Sequence, residues 1–378
     1  MNFVFDEQQN LLKATIRDYA EHKFMPFADK LDKSQEFSLD TFQNMAKLGL
    51  TGLGIPVDYG GSGGDEVCVA IACEEIARAC ASTADILVSH LCLCTKPIFM
   101  FGNESQQKKY VKLLTSGDMI GCFAITEAEA GCDVSAIKST AVRQGEYYIL
   151  NGTKIFITNG NVCDLAVVFA NIPALGNRGM TAFIVEKGLK GFNKGKKYDK
   201  LGMRGATNAD LIFEDCRIPI ENRLGDEGQG LKICLTALDY GRIGIAAQAL
   251  GITQAILEKS IEYSKTRKQF GVPIWQNQAI SWMIADISTR LEAARLLTCK
   301  AAFIADQGES FSVNAAMAKL TASELCMDAS IQGIQIFGGY GYIMESPMQR
   351  YFRDAKLTTI CEGTSEVQRI LISRSILA

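Results

Sequence analysis

Residues 147–158 read Y-Y-I-L-N-G-T-K-I-F-I-T, and the architecture of the chain is organised on either side of them. Aromatic and β-branched residues flank Asn151-Gly152, the dipeptide that most readily supplies the two positive-φ positions of a type I′ turn. The stretch therefore predicts a β-hairpin. Further strands are expected at 165–170, 180–185 and 211–216, with glycines and charged residues between them. A middle domain of β-structure, antiparallel and barrel-like, is expected over 119–224.

Outside that domain the apolar residues recur at helical spacing. Upstream, over 1–118, Asp6 is placed to cap a helix through Leu11, Leu12 and Ile16, and Ser38 opens another that stops at Gly49. Helical stretches follow at 65–80, 83–101 and 105–114. Residues 55–64, I-P-V-D-Y-G-G-S-G-G, read as a connector, because their glycines lack the strand before and helix after that a dinucleotide-binding fingerprint needs. Downstream, over 225–378, three apolar stripes stand out: Ile245, Ala249, Ile252, Ile256; Met283, Ile287, Leu291, Ala294; and Met327, Ile331, Ile334, Phe337. They predict long antiparallel helices packed as a four-helix bundle. The fold class is α+β: an N-terminal all-α domain, the middle β domain, and a C-terminal bundle.

Composition narrows the function. A chain of 378 residues with 48% hydrophobic content is globular, and its formal net charge of -3 gives no pull toward nucleic acid or an anionic membrane. Lys194, Lys196 and Lys197 read as a solvated loop, and no uninterrupted apolar stretch reaches membrane-spanning length. The 13 cysteines show no C-x-x-C pairing, so reduced thiols and a cytoplasmic compartment are expected. Met1 to Asp6 lack the pattern of a secretory signal. With only two histidines, His22 and His90, no metal site is expected and imidazole-dependent triads are poorly supported.

The chemistry concentrates near the C-terminus, in R-D-A-K-L-T-T-I-C-E-G-T-S-E-V-Q, residues 353–368. An apolar run ends there in a lone carboxylate, Glu362. Desolvation raises the pKa of such a group toward the working pH and makes it a candidate general base. Gly363 lets a ligand approach the backbone, and Thr364 can cap the helix that follows. Other polar signatures lie at strand and helix ends: Phe123 to Glu127 leading to Ala130-Gly131-Cys132-Asp133, Phe156-Ile157-Thr158-Asn159-Gly160, Asp239-Tyr240-Gly241-Arg242, Arg267 with Phe270-Gly271, and Gln335 to Gly339. Taken singly, each is as compatible with structure as with function.

In this order, and together with Tyr59 to Gly63 and Glu362-Gly363-Thr364, these motifs resemble the acyl-CoA dehydrogenase family along essentially the whole chain, most of all its short-chain, butyryl-CoA-type members. The resemblance implies a non-covalent FAD between the β domain and the bundle. It implies that Glu362 removes the α-proton of an acyl-CoA thioester while the β-hydrogen leaves as hydride to flavin N5. Phe123, Ile125, Thr126, Cys132, Phe156 and Thr158 match residues around the flavin ring and pyrophosphate. Arg267, Phe270, Gln278, Gln335, Gly338, Gly339, Thr364 and Glu366 match the remaining cofactor contacts, partly across a subunit boundary. Cys132, Asp239, Arg242, Cys361 and Gly363 match positions facing substrate.

The resemblance further implies a homotetramer, a dimer of dimers, that passes electrons to an electron-transferring flavoprotein. Relatives with the base on the other side of the site carry it at the position of Gly241, so Glu362 is the sole candidate here. Cys132 replaces the usual Ser or Thr and Cys361 the usual Tyr, which points to a non-butyryl substrate, such as a branched, aryl or substituted short acyl group, as the alternative. The same site run backward is an enoyl-CoA reductase, and a catalytically inactive helical interaction protein is the alternative from another class.

Overall fold

The computed structural model describes residues 4–377, so Met1 to Phe3 of the proposed signal-free N-terminus lie outside it. Helix α1, Glu7–Lys23, begins at Asp6, whose carboxylate accepts from the Gln9 N–H while the Gln9 side chain returns the bond to the Asp6 N–H. Helix α2, Leu39–Lys47, starts on the Ser38 hydroxyl, and Gly49 just beyond it takes φ +74°. Helix α3, Glu66–Ala79, is capped by Asp65.

Helix α4, Ala81–Phe101, corrects one expectation. At 21 residues it is long and apolar enough to cross a membrane, yet 83% of its most apolar window is buried inside the protein. Its middle, Val88–Thr95, widens into π-helix. His90 lies in that segment and joins two domains: its Nδ1 accepts from the Gly121 N–H at 3.0 Å, which leaves Nε2 to donate to the Leu114 carbonyl at 3.0 Å. Burial lowers its pKa to about 4, so it stays neutral and structural.

Strand follows helix at β1, Gly121–Ala124, then β2, Thr140–Gln144, β3, Tyr147–Thr158, and β4, Leu165–Asn171. The sheet is completed by β5, Met180–Glu186, β6, Phe192–Lys197, β7, Asn208–Pro219, and β8, Arg223–Leu224. The order is β6-β7-β3-β2-β4-β5-β8 with β1 beside β4, and the pairings are antiparallel apart from parallel β1–β4 and a parallel bridge from β2 to β4. The expected hairpin at Asn151-Gly152 does not form.

Residues 147–158 are instead one unbroken strand of 12 residues paired along β7. Asn151 exchanges hydrogen bonds with Asp215 on the neighbouring strand, and the register slips between Leu150 and Gly152 as in a β-bulge. Gly152 takes φ +145°, where an added Cβ would stand 2.2 Å from Ser139 Oγ. The turn dipeptide thus bends a strand rather than ending it. The lysine cluster is likewise no loop. It lies on edge strand β6, with Lys194 tied to the Cys163 carbonyl at 2.7 Å and Lys197 to the Gln35 carbonyl at 3.0 Å.

The C-terminal region contains α5, Gly230–Thr266, α6, Gln278–Asp306, α7, Ser312–Phe337, α8, Pro347–Thr358, and α9, Ser365–Leu377. The stripe from Ile245 to Ile256 is fully buried, and Ile287, Leu291 and Ala294 are buried on α6. The third stripe is displaced. Ile331 is 52% exposed, and α7 turns Ala315, Ala318, Ala322, Cys326 and Ala329 into the core instead. Small residues let α7 approach α5 closely, and an apolar count alone overlooks them. All 13 cysteines are free, as expected.

Candidate active site

Between α8 and α9 the chain makes a short loop in which Glu362 takes φ +54° and Gly363 φ +93°. A left-handed conformation costs a non-glycine residue roughly 1–2 kcal/mol, so the surroundings must impose it. Two successive carbonyls do so. That of Glu362 accepts from Arg242 Nε at 3.3 Å and Gln368 Nε2 at 3.1 Å, and that of Gly363 from Lys319 Nζ at 2.7 Å and Gln368 Nε2 at 2.8 Å. Lys319 and Gln368 have no exposed surface, and Arg242 is buried. Among the described residues none accepts the Glu362 N–H.

The side chain of Glu362 rests on helix α5. At Gly241 an added Cβ would stand 3.4 Å from Glu362 Cγ, 3.5 Å from its Cδ, and 2.7 Å from Leu93 Cδ2 on α4. Glycine there leaves the carboxyl its room. Burial pushes the Glu362 pKa up to about 7, the negative charge of Asp85 acts in the same direction, and Lys319 and Arg242 oppose them. Part of the residue's surface stays accessible. Arg242 also contacts Asp239, whose Oδ1 accepts from Ser312 Oγ at 2.9 Å, and burial raises the Asp239 pKa against the pull of Arg242. Arg242 is thus turned to the Glu362 loop. Cys361 is half-buried, and its thiol is pushed up by burial and by Glu362.

Opposite this loop stands the segment following β1. Its anchor is Glu127, whose Oε1 takes Lys154 Nζ at 2.6 Å and Ser139 Oγ at 2.6 Å, while Oε2 takes the Lys138 N–H at 2.6 Å. Burial lowers the Lys154 pKa to about 8, with Glu127 opposing. So pinned, the segment presents half-buried Thr126 and exposed Cys132, whose Sγ lies 4.0 Å from Thr364 Oγ1. Phe123 and Ile125 are buried in the core, with the Phe123 ring 5.0 Å from Phe169, so any ligand contact from them runs through backbone. Phe156 takes φ +60°, is 56% exposed, and sits 4.7 Å from the Tyr198 ring. Thr158 Oγ1 accepts from Asn208 Nδ2 at 3.0 Å, and its carbonyl from Ser89 Oγ at 3.4 Å. Thr364 caps α9 through the Val367 N–H at 3.4 Å, and Glu366 is held below the usual carboxylate range by its own backbone N–H and by Thr364.

The other predicted cofactor residues lie at the far end of α5. Arg267 ends that helix, its guanidinium 5.7 Å from the Tyr340 ring and paired with no carboxylate among the described residues. It lines a cavity of 540 Å³ with Tyr263, Phe337, Gly338, Gly339 and Tyr340. Gln278 and Gln335 are exposed, and Phe270 is 96% exposed at φ +54°. The roughly 25 residues of α5 between Arg242 and Arg267 span about 37 Å at 1.5 Å per residue. One copy of the chain therefore keeps the two sets apart.

Comparison with known proteins shows the family. Sequence families described as acyl-CoA dehydrogenase N-terminal, middle and C-terminal domains match residues 6–118, 122–216 and 228–377. The chain belongs to the acyl-CoA dehydrogenase family. It is 43% identical over 377 residues to the short-chain specific acyl-CoA dehydrogenase of Clostridium acetobutylicum, covering 100% of both chains. It superposes on butyryl-CoA dehydrogenase from Megasphaera elsdenii with a TM-score of 0.98 at 42% identity, again with 100% of both chains covered. A TM-score of 0.98 at 44% identity and 100% coverage of both chains relates it to a chain in the structure described as the electron transferring flavoprotein of Acidaminococcus fermentans.

For an acyl-CoA dehydrogenase the most informative omissions from the sequence reading are Lys319, Gln368 and Asp85. The first two fix the backbone around Glu362, and Asp85 acts on its charge. Lys319 had a legible signal, since a lysine flanked by Ala315, Ala316, Ala318 and Ala322 interrupts a face of small residues. Asp85 had none, because Glu362 lies far away in sequence, whereas Gln368 stands within six residues of both carbonyls it holds, inside the stretch that carries Glu362.

Proposed function

We propose that the chain is an FAD-dependent acyl-CoA dehydrogenase that converts a short-chain acyl-CoA thioester to the trans-2-enoyl-CoA, with Glu362 as α-proton base. The observation that carries this reading is one carboxyl group, poised near neutrality by burial, beside a backbone N–H that no other group uses. A thioester α-proton is too weakly acidic for a carboxylate in water, so charge forming on the carbonyl oxygen must be stabilised as the proton leaves. Loss of one donor from such an oxyanion site typically costs about 3–4 kcal/mol. The Glu362 N–H is the donor this chain supplies, and the cage of Arg242, Lys319 and Gln368 aims it by fixing the left-handed loop.

Bound FAD supplies the acceptor for the β-hydrogen, which leaves as hydride. The residues present fit that cofactor. Exposed Phe156 and half-buried Thr126 and Thr158 offer an aromatic face and hydroxyl donors for a ring, Cys132 lies beside Thr364 of the Glu362 loop, and Arg267 offers a cation paired with no described carboxylate beside the open backbone of Gly338 and Gly339 for a pyrophosphate. With Arg267 about 37 Å along α5 from the Arg242 end of the site, the reading gives each cofactor its second set from another copy of the chain, in keeping with a dimer-based tetramer. The likeness to a chain in an electron-transferring flavoprotein structure supports such a flavoprotein as electron acceptor.

Anaerobic mixing of the yellow holoenzyme with butyryl-CoA tests the reading. Bleaching of the flavin absorbance is expected, and an unchanged spectrum with a panel of short acyl-CoA thioesters would overturn it.

A further inference from the structure

One buried acid beside this site acts on Glu362 only through its charge, and its own burial is left unexplained. Asp85 lies on α4, 6% exposed, and its Oδ2 is buried with no hydrogen-bond partner among the described residues. Its neighbours on the same helix define where it faces. Ser82, one turn earlier, accepts from the Gly205 N–H at 3.2 Å, and Ser89, one turn later, donates to the Thr158 carbonyl at 3.4 Å. The next residues of α4 turn to helix α5: Val88 would stand 3.0 Å from a Cβ at Gly244, and Leu93 meets Gly241, on which Glu362 rests. Asp85 thus lies buried on a helix whose adjoining turns meet Thr158 and α5, and its charge acts on Glu362.

The cation acting on Asp85 is Lys200, but Lys200 forms no ion pair with it. Its ammonium is spent on the Ala206 carbonyl at 2.6 Å and on Asn208 Oδ1 at 2.5 Å. A buried carboxylate with neither a donor nor a contacting cation is costly, and each such group in a folded protein calls for an explanation. A plain alkyl chain packed against it would leave the cost standing, whereas a donor on the acyl group would remove it.

We propose that Asp85 is a specificity residue that receives a hydrogen-bond donor, a hydroxyl or an ammonium, carried by the substrate's acyl chain beyond the β-carbon. This rests on the dehydrogenase reading and refines its substrate from a simple short alkyl thioester to a donor-substituted one. Placement beyond the β-carbon follows from the chemistry, since the α- and β-carbons must face Glu362 and the flavin. The charge of Asp85 raises the pKa of both Glu362 and Cys361, so Asp85 lies near the loop that carries the base.

The test compares butyryl-CoA, 4-hydroxybutyryl-CoA and 4-aminobutyryl-CoA with the FAD-loaded enzyme, its Asp85→Asn variant and its Asp85→Val variant. One donor-bearing thioester is expected to exceed butyryl-CoA in kcat/KM by at least about tenfold in the wild-type enzyme, and Asp85→Val is expected to lower its kcat/KM on the order of 10²-fold while raising that for butyryl-CoA. Asp85→Asn separates the two donors, because an amide oxygen still accepts from a hydroxyl but no longer balances an ammonium. A merely structural Asp85 would change all three thioesters by the same factor, and that result overturns the proposal, as does a wild-type preference for butyryl-CoA. If no thioester bleaches the flavin, the dehydrogenase reading itself has failed and the refinement with it.

Discussion

At Glu362 a single residue is asked for two incompatible things, a charge that can be created and a surrounding dry enough to make that charge reactive. The compromise is a carboxyl with a pKa near 7. The base acts when ionised, so kcat/KM is expected to fall as pH drops through about 7 and to level off above it, which a pH–rate profile at low substrate concentration would show. A profile flat from pH 6 to 8 would deny Glu362 that role. Glu362→Gln is expected to retain FAD and acyl-CoA binding while losing roughly 10²–10⁴-fold in turnover, the usual worth of a positioned base. Lys319→Met tests the cage. Lys319 holds the Glu362 pKa down, so its removal is expected to move the acid limb of the profile to higher pH, and a limb left in place would show that the lysine acts on the backbone alone.

The same linkage has a thermodynamic side. The folded chain keeps the Glu362 proton up to about 7 and the unfolded chain releases it near 4.3, so across that interval this group's contribution to stability declines as pH rises.

At the scale of the element, strand β3 shows where sequence was legible and where it misled. Its extended, half-buried character was plain from Tyr147, Ile149, Ile155 and Ile157, yet the Asn-Gly pair that favours a turn was overruled by β7, which offers partners along nearly the whole strand. Local preference lost to long-range pairing. The caps at Asp6 and Ser38 were legible because their hydrogen bonds are local. The core face of α7 was not, because alanines carry little apolar signal but permit close helix packing. Gly152→Val tests the strand reading. With φ +145° and an added Cβ 2.2 Å from Ser139 Oγ, this substitution is expected to cost about 2–4 kcal/mol, read as a lower urea midpoint with an unchanged slope. A true turn at that position would tolerate the change far better at Ser139, so an unaltered midpoint would contradict the bulged strand.

At the scale of the whole molecule, a single chain leaves exposed what a folded protein usually covers. Both tryptophans, Trp275 at 47% and Trp282 at 62%, are partly in solvent, together with Phe270 at 96% and Phe303 at 58%, all on the C-terminal bundle or the hairpin of 268–273. Apolar surface of this kind, next to an unpaired Arg267 and a glycine-lined cavity, is what an interface looks like before its partner arrives. The proposal of a cofactor site completed by a second copy came from the resemblance alone, since no spacing in one chain encodes a contact between two. Phe270→Asp puts a charge into that surface and is expected to shift the assembly toward smaller species on size-exclusion chromatography with light scattering. Arg267→Ala leaves the apolar surface intact but removes the cation for the pyrophosphate. It is expected to lower the ratio of bound flavin to protein at an unchanged mass. If Phe270→Asp dissociates the assembly and every protomer still holds its FAD, the two residue sets do not share one cofactor and the cross-subunit site is wrong.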